Sequence, residues 1–516
     1  MASSLKSAAV EIIRTLRARG HEAYLVGGCV RDLQLKREPA DYDVATSATP
    51  DEVMAIFPKT WAVGAQFGVV LVPVEIAAGE VNDVTTDDTE EHRGKAIKAE
   101  DAKGREVRQD RENPQWSSVS SVVKNPAEEQ DEHHPTKDEA DLAHMPEAAA
   151  HHPYVEVATF RSDGIYSDGR HPDAVRFSRQ AREDVQRRDF TINGLLYDPI
   201  AGQVLDYVQG MADLERGVVR TIGAPERRFG EDKLRMLRAV RFAARFGYRI
   251  DEQTFAAIRR LAAGIQQVSK ERVREELTKM LTEGSARRAF ELLEESGLLH
   301  EVLPEIEKMK GVQQPPQFHP EGDVWVHTLL LLEKLPHPCS RTLAWGALLH
   351  DVGKPPTFRV APDRIRFDGH VEVGVKMAEE ICRRLRMSNE DTQQIAALVA
   401  NHMRFGDAPK MKESTLKRFL RLPRFAEHMA LHRLDVLASF GDLTVYHALR
   451  ERMASTPPEQ IRPQPLLSGD DLIAAGYRPG PQFKEILSAV EDAQLEGKLR
   501  TREEALEYAR AAFPPA

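Results

Sequence analysis

Two aspartates, Asp41 and Asp43, stand one residue apart in the sequence DYDVAT. Alternate residues of an extended strand share a face, so this spacing predicts that both carboxylates point the same way and Tyr42 points the other way. Two carboxylates so close together repel each other unless a cation lies between them. Oxygen ligands of this kind suit Mg²⁺, which proteins often hold with one or two carboxylates and substrate phosphates. The pair therefore predicts a magnesium site for phosphate chemistry.

A glycine pair, Gly27 and Gly28, lies upstream in YLVGGCVRD and predicts a sharp turn from an apolar strand into a helix. Backbone N–H groups exposed at such a turn can cradle phosphate. Arg31, on the predicted helix, is a further phosphate-binding candidate. The stretch lacks both GxGxxG and GKS or GKT. An isolated D-x-D is usually a turn or a strand edge, so its meaning depends on this upstream turn.

The stretch GGCVRDLQLKREPADYDVAT resembles the nucleotidyltransferases of the polymerase β superfamily. More closely, it is similar to the signature of the class II tRNA nucleotidyltransferase (CCA-adding enzyme) and bacterial poly(A) polymerase family. VEVATFR resembles that family's next strand, and the resemblance implies that Glu156 is a third acidic residue of the catalytic site. It also implies Mg²⁺ as cofactor, CTP and ATP as substrates, and an RNA 3′ end as acceptor, with the tRNA 3′ end preferred.

The sequence RRDFTIN resembles the family's second motif without a mismatch. Guanidinium groups bind phosphate bidentately, so Arg187 and Arg188 suit a triphosphate. The resemblance further implies that Asp189 and Asn193 organise the sugar side of the nucleotide pocket. A solvated charge run is the alternative interpretation of the arginine pair.

Further motifs follow in the family's order. DLERGVVRTIG (213–223) resembles the hinge between head and neck, and ERVREELTKML (271–281) resembles a structural neck motif. EDKLR resembles the family's EDxxR motif. On a helix, Asp232 and Arg235 would share a face, where an acceptor beside a fork of donors can imitate a Watson–Crick edge. A surface ion pair is the alternative for these two residues.

A second set of chemical groups lies in the C-terminal half. The order H…HD…D, with glycine and lysine just after the HD pair, resembles the HD phosphohydrolase domain. Imidazole and carboxylate together suit a divalent metal that activates water. The resemblance implies a principal set of four metal ligands, and two further histidines that complete a second site. In order, these are His327, His350, Asp351 and Asp435, then His370 and His402. In some family members this domain is only a scaffold, but every expected ligand type is present here, which favours a metal-competent site.

The elements that must position these residues change character along the chain. Apolar β-rich stretches come first, and helical periodicity dominates after about residue 200. This order predicts an α+β fold, in which a small polymerase-β-like head with a mixed sheet precedes an all-α neck, body, HD domain and tail. The predicted boundaries are 1–79 plus 151–200 for the head, 80–150 for a disordered acidic insertion, 201–315 for the neck and body, 316–450 for the HD domain, and 451–516 for the tail.

Charge is distributed unevenly. Residues 80–150 hold 19 Asp and Glu against 9 Lys and Arg, so they account for the whole net charge of −10 and leave the rest neutral. Residues 176–249 hold 15 Lys and Arg against 10 Asp and Glu, a surplus of +5 that is compatible with binding a phosphate backbone. The sequence contains no run of 18 apolar residues, so no membrane span is predicted. Three widely spaced cysteines indicate free thiols, and with the composition they predict a cytoplasmic protein.

The motifs together predict a template-independent nucleotidyltransferase that adds C and A to the tRNA 3′ end. A poly(A) polymerase, an A-only enzyme or a CC-only enzyme would share every motif. From other classes, a metal-dependent HD phosphohydrolase with an inactive head and a non-catalytic RNA-binding scaffold remain as alternatives. The acidic insertion between two strands of the head sheet is the main departure from the family pattern.

Overall fold

The residues described by the structure, a computed structural model, are 2–62, 68–74, 153–164, 175–317 and 319–515. The predicted acidic insertion lies outside them. Cys29, Cys339 and Cys382 are free thiols, as predicted. Across the described ranges, no helix has both the length and the apolar character needed to cross a membrane.

A six-stranded mixed sheet forms the head, in the order β3-β4-β2-β1-β7-β8. It confirms the predicted fold class, and it continues to Asp206, beyond the predicted end of the head at residue 200. Its strands are β1 (Ala23–Val26), β2 (Val44–Thr46), β3 (Val69–Pro73), β4 (Tyr154–Thr159), β7 (Leu195–Asp198) and β8 (Gln203–Asp206), and a separate ribbon pairs β5 (Arg161–Asp163) with β6 (Val175–Phe177).

Strand register decides where the acidic residues lie. β2 and β4 run parallel, with Val44 opposite Val157, so Asp43 and Glu156 are the residues just before a paired position on neighbouring strands. β4 also pairs antiparallel with β3. Parallel neighbours need a long connection, whereas antiparallel neighbours tolerate a loop of any length between them. The acidic insertion falls in the β3–β4 connection.

Four helices pack on the head sheet: α1 (Ala2–Ala18), α2 (Gly28–Gln34), α3 (Pro50–Ile56) and α4 (Ala181–Gln186). α1 buries Ala9, Ile13 and Leu16, whose three- and four-residue spacing lines one helix face. α3 begins with a capping box, in which Thr49 and Glu52 satisfy each other's backbone N–H groups, and with proline at its first position.

The neck and body are helical, as predicted. They comprise α5 (Gly210–Arg216), α6 (Pro225–Glu231), α7 (Arg235–Phe246), α8 (Glu252–Leu261), α9 (Lys270–Thr282), α10 (Ala286–Glu295), α11 (Leu298–Val302) and α12 (Pro304–Glu307), with a small parallel pair of β9 (Val218–Val219) and β10 (Arg249–Ile250).

The C-terminal part contains α13 (Val324–Glu333), α14 (Arg341–Leu349), α15 (Lys354–Thr357), a hairpin of β11 (Arg359–Val360) and β12 (Ile365–Arg366), α16 (His370–Arg384), α17 (Asn389–Asn401), α18 (Glu413–Leu420), α19 (Phe425–Ala438), α20 (Thr444–Ser455) and α21 (Pro458–Ile461). The tail adds α22 (Gly469–Ala474), α23 (Gln482–Leu495) and α24 (Arg502–Ala512).

One hydrophobic core runs without a break from the head through the neck into the HD-bearing helices, from Ala9 to Ala438. Helix α9 contributes to this core and packs against both the neck helices and the HD-bearing helices. The tail has its own small core around Leu472 and Ile486. Its α23 docks on α18 mainly through polar contacts, including Arg418 with Glu491.

The tight approach of α5 to the RRDFTIN segment gives a matched test of packing. A Cβ at Gly210 would lie 2.2 Å from the backbone oxygen of Thr191, whereas one at Gly230 in α6 would meet no atom of the described residues within 4 Å. We expect Gly210→Ala to destabilise the fold by about 2–3 kcal/mol, because a backbone atom cannot yield as a flexible side chain can. Gly230→Ala should stabilise it by about 0.5–1 kcal/mol through helix propensity. Urea unfolding monitored by circular dichroism measures both, and equal effects would contradict the packing argument.

Candidate nucleotide site and metal centre

A cavity of about 580 Å³ lies between the head and the neck. Arginine and carboxylate side chains dominate its walls. It brings together every predicted catalytic and nucleotide-binding residue except Glu156, namely Gly27, Gly28, Arg31, Asp41, Asp43, Arg187, Arg188, Asp189, Asn193, Asp232 and Arg235. Residues from both ends of the first 240 positions therefore meet in one place, as the motif order predicted.

The glycine turn enters α2 as predicted. Gly27 has φ 76°, a left-handed conformation that glycine adopts without strain, and it caps the helix that begins at Gly28. A Cβ at Gly27 would lie 3.3 Å from Nη1 of Arg188. The turn thus lets an arginine of the second motif come close to the backbone of the first. Arg31, one turn into α2, is buried and donates from Nη1 to Oδ1 of Asn193 at 2.7 Å.

The D-x-D pair lies just before β2, which begins at Val44, rather than within a strand as predicted. Side chains nevertheless alternate: Tyr42 is buried, Asp41 is exposed and Asp43 is half-buried. Burial, with the charges of Glu156 and Asp41, raises the pKa of Asp43 to about 7. Burial and Asp41 also raise the pKa of Glu156.

These three carboxylates do not form a finished ligand cage. In the described part of the chain, sets of three or more ligand atoms within 4.8 Å of one another occur only in the HD domain. The raised pKa values indicate an excess of negative charge that a cation would relieve. The arrangement therefore fits a Mg²⁺ ion that takes its remaining ligands from substrate phosphates.

One buried carboxylate aligns the arginine pair. Asp184, on α4, accepts two bonds from Arg187 on Oδ1 and two from Arg188 on Oδ2. Burial raises the pKa of Asp184, but the two guanidinium groups outweigh burial and hold it below its ordinary value. The trio keeps a net positive charge beside the cavity, which suits a polyphosphate.

Asp189 joins the head to the neck. Nε and Nη2 of Arg238, on α7, both donate to its Oδ2, at 2.9 and 2.7 Å. Its Oδ1 accepts from Asn193 at 3.2 Å. Burial raises the pKa of this carboxyl, but Arg238 and Asn193 outweigh burial and hold it below its ordinary value. The predicted sugar-side residues are therefore held rigidly, with Arg31 bonded to the other end of Asn193.

Asp232 and Arg235 do line the cavity, but the predicted shared helix face is wrong. α6 ends at Glu231, Asp232 after it has extended backbone angles, and α7 begins only at Arg235. The break has a local cause, because Oδ1 of Asp232 accepts from the N–H of Leu234 at 3.0 Å and competes with helix formation. The two side chains project from a turn between helices.

Both polar edges of this turn already have protein partners. Asp232 accepts from Arg272 of α9 at 2.8 Å, and Arg235 donates to Glu231 at 2.7 Å and to the backbone oxygen of Arg228 at 3.2 Å. Such partners set the orientation of an acceptor and a donor fork. A base that used them would meet groups held in place by α6 and α9.

Sequence reasoning missed several residues of this cavity, namely Asp32, Glu38, Arg238, Phe242, Arg245 and Arg272. It also gave no role to Asp184. Arg238 and Phe242 lie three and seven residues beyond Arg235 and could have been found from helical spacing. Arg272 arrives from a separate helix, and no local pattern signals it.

All six predicted HD ligands converge. Asp351 is the centre: its Oδ2 lies 3.1 Å from Nε2 of His350, and its Oδ1 lies 3.9 and 3.7 Å from Nε2 of His370 and His402. Nε2 of His327 lies 3.1 Å from Oδ1 of Asp435. The groups His327–His350–Asp351 and Asp351–His370–His402 are each compact enough to hold a metal ion.

The histidine tautomers follow from their outer contacts. Nδ1 lies 2.9 Å from a backbone oxygen in His350, 2.9 Å in His370 and 2.7 Å in His402, and 2.7 Å from Glu321 in His327. Carbonyl and carboxylate oxygens only accept, so Nδ1 carries the proton in each ring. Nε2 is then free to bind a metal. In metal-binding histidines a hydrogen bond from the other ring nitrogen commonly fixes the tautomer in this way.

The electrostatics of this centre call for a cation. Burial lowers the pKa of His327, but Asp435 and Glu321 outweigh it and raise the value to about 9. Burial lowers the pKa of His402 to about 4. Lys354, the lysine just after the HD pair, contacts Asp351 at 2.7 Å. Buried imidazoles and carboxylates with this donor set fit one or two divalent metal ions.

Comparisons with known proteins agree with this geometry. The poly A polymerase head domain matches residues 23–113 and 116–220, the probable RNA and SrmB-binding site of polymerase A matches 247–310, and the HD domain matches 323–439. A mixed-sheet head of this kind, joined through a helical neck to an HD domain, defines a nucleotidyltransferase. The chain belongs to the family of class II tRNA nucleotidyltransferases (CCA-adding enzymes) and bacterial poly(A) polymerases.

Two relatives match along nearly the whole chain. The CCA-adding enzyme of Geobacillus sp. (strain WCH70) is 29% identical over 498 residues, covering 96% of this chain and 94% of that protein. The crystal structure of the Bacillus stearothermophilus CCA-adding enzyme in complex with CTP is 25% identical, covers 98% of both chains and superposes with a TM-score of 0.64. The CCA-adding enzyme of Geobacillus thermodenitrificans (strain NG80-2) is 36% identical over 290 residues, which is 56% of this chain and 53% of that protein.

The raised pKa of Asp43 predicts a pH-dependent stability difference. Because the folded-state value of about 7 exceeds the ordinary 3.8, ionising Asp43 costs the native state stability as pH rises from about 4 to 7. In EDTA at pH 8, Asp43→Asn should therefore be more stable than the wild type, by on the order of 2 kcal/mol. At pH 4 the two should unfold alike. Thermal unfolding measures this, with exposed Glu451→Gln as the control variant. A destabilised Asp43→Asn at pH 8 would contradict the electrostatic account.

Proposed function

We propose that this chain completes the 3′ end of tRNA by adding C and A from CTP and ATP. The observation that carries the proposal is a single cavity that joins the D-x-D pair, the arginine pair and the Asp232–Arg235 turn. The relatives named CCA-adding enzyme, one of them solved with CTP, support this choice of product.

Each wall of the cavity receives one part of the reactants. We assign Asp41, Asp43 and Glu156 to hold Mg²⁺, which when bound would supply charge neutralisation at the transferring phosphoryl group. Arg187 and Arg188 bind the triphosphate, braced by Asp184 and backed by the turn at Gly27 and Gly28. Arg31, Asp189 and Asn193 fix the sugar, because their mutual bonds leave them little freedom.

Base choice falls to Asp232 and Arg235. A carboxylate accepts from an exocyclic amine and a guanidinium donates to ring nitrogen or carbonyl, so the pair can read cytosine and adenine, which both carry such an amine. Their partners Arg272 and Glu231 hold the two groups in place. Recognition of both bases at one turn needs no nucleic-acid template.

A template-free adenylyl transfer to other RNA ends uses the same machinery. Poly(A) polymerase, A-only and CC-only activities are therefore the rival products. Incubation of the full chain with Mg²⁺, each labelled nucleotide singly and a tRNA lacking CCA separates them. We expect C and then A to be incorporated, with a tRNA that already ends in CCA as the control that gains nothing. Long A tails on unrelated RNA would instead identify a poly(A) polymerase.

Asp41→Ala should lower nucleotide addition by about a thousandfold or more, since several kcal/mol of transition-state stabilisation would be lost. Because Asp41 is exposed, the fold should be retained. Single-turnover primer extension measures the loss. Addition at the wild-type rate by this variant would overturn the assignment of the D-x-D pair.

We propose a second activity, metal-dependent hydrolysis of a phosphoester, at the HD centre. The convergence of four Nε2 atoms around Asp351 carries it. His327, His350, Asp351 and Asp435 would hold a divalent ion and His370 and His402 a further one. A bound ion would supply water activation, while Lys354 provides a positive charge for the phosphate beside Asp351.

His350→Ala tests the independence of the two centres. We expect loss of manganese-dependent hydrolysis of bis-p-nitrophenyl phosphate by at least about a hundredfold, because one ligand of a shared ion disappears. CCA addition should continue at the wild-type rate. Persistence of hydrolysis in this variant would show that another site, or a contaminant, performs it, and an inert wild type would leave the domain as a scaffold.

A further inference from the structure

The histidines of the HD centre are anchored in two different ways. His350, His370 and His402 each place Nδ1 on a backbone oxygen three residues earlier, from Ala347, Phe367 and Val399. His327 lies inside α13, where backbone oxygens serve the helix, and its Nδ1 donates to the carboxylate of Glu321 at 2.7 Å. Only this ring, of the four, depends on a side chain for its orientation.

Glu321 is itself held by a fifth histidine. Nδ1 of His319 donates to the same oxygen, Oε1, at 2.9 Å. The rings of His319 and His327 meet edge to face with centroids 5.0 Å apart. The Glu321 side chain is 7% exposed, and its Oε2 is buried without a hydrogen-bond partner among the residues that the structure describes. Two imidazoles on one oxygen determine the rotation of this carboxylate.

The loop that carries Glu321 is fixed by the start of α13. Asp323 caps that helix by accepting from the N–H of Val326 at 2.8 Å, and its other oxygen accepts from the N–H of Gly311 at 2.6 Å. The loop that places the carboxylate of Glu321 beside His327 is therefore held by hydrogen bonds to both carboxylate oxygens of Asp323.

His319, Glu321 and His327 are compact enough to hold a metal ion by themselves. That use would require Nδ1 of His327 to release its proton to solvent, because Glu321 as a ligand must stay ionised. It would also put two cations on opposite nitrogens of one ring. An oxygen that accepts from two N–H donors instead suits a group that orients His327 from outside the HD centre.

We propose that Glu321 is a positioning residue for the HD metal ion, holding His327 so that Nε2 points at the ion, and that His319 braces Glu321. The inference rests on the proposed metal site of the HD centre. A carboxylate behind a metal-binding imidazole fixes the ring and increases its basicity, and loss of such a partner commonly weakens metal binding 10- to 100-fold.

The test titrates Co²⁺ into the metal-free full-length protein and follows its visible absorption, with bound cobalt measured after dialysis. Glu321→Gln keeps the shape but removes the charge, and it should raise the dissociation constant about 10- to 100-fold and alter the spectrum. His319→Ala should raise it only a few-fold. The matched control is Asp391→Asn, a buried carboxylate of the same domain that pairs with Arg341 away from the cluster. Its cobalt affinity and spectrum should equal those of the wild type.

Equal affinity and spectrum in Glu321→Gln and wild type would overturn the inference, as would an equal loss in Asp391→Asn, which would indicate a general effect on the fold. Cobalt binding by the wild type without phosphoester hydrolysis would defeat the proposed second activity while the positioning inference still holds. A wild type that binds no cobalt would overturn both.

Discussion

The parallel pairing of β2 with β4 is the constraint on which the head site depends. It places Glu156 beside Asp43, although more than a hundred residues separate them in the chain. The resulting concentration of negative charge is unfavourable alone, as the raised pKa of Asp43 records. The rest of the cavity supplies the opposite charge, through arginines from α2, α7 and the RRDFTIN segment. The sheet register thus concentrates negative charge, which the arginines of the neighbouring elements and a bound cation would offset.

Both centres use the same device, a buried carboxylate that holds cationic side chains. In the head, buried Asp184 holds two arginines, and in the HD domain buried Asp351 is surrounded by histidines and Lys354. Each is a carboxylate whose pKa is held low by its cationic neighbours despite burial. The proposed metal ligands of the two centres differ in exposure. Asp41 and Asp43 line an open cavity that a nucleotide can enter, whereas four of the six HD residues are buried and His370 and Asp435 are half-buried.

The sequence predicted the parts of the site that are local. A left-handed glycine, an alternating D-x-D and an HD pair each announce themselves within a few residues, and their convergence followed from motif order. Contacts between distant segments were not accessible: Arg272 reaches Asp232 from another helix, and Glu321 reaches His327 from a loop. The predicted shared helix face of Asp232 and Arg235 was wrong, because periodicity does not reveal that Asp232 accepts a hydrogen bond from the backbone N–H of Leu234. The fold class was predictable, but the end of the head was not, because β8 continues the sheet past the point where helical signals begin.

Helix α9 serves both halves at once. Arg272 on it contacts the nucleotide cavity, and Thr278, less than two turns later, accepts from the indole N–H of Trp345 on α14, the helix that ends at the HD pair. The hydrophobic core passes through α9 without a break. The two proposed sites therefore belong to one packed unit. We expect a substitution that unfolds either half to abolish both proposed activities, so joint loss would indicate unfolding and the loss of one alone would indicate damage to that site.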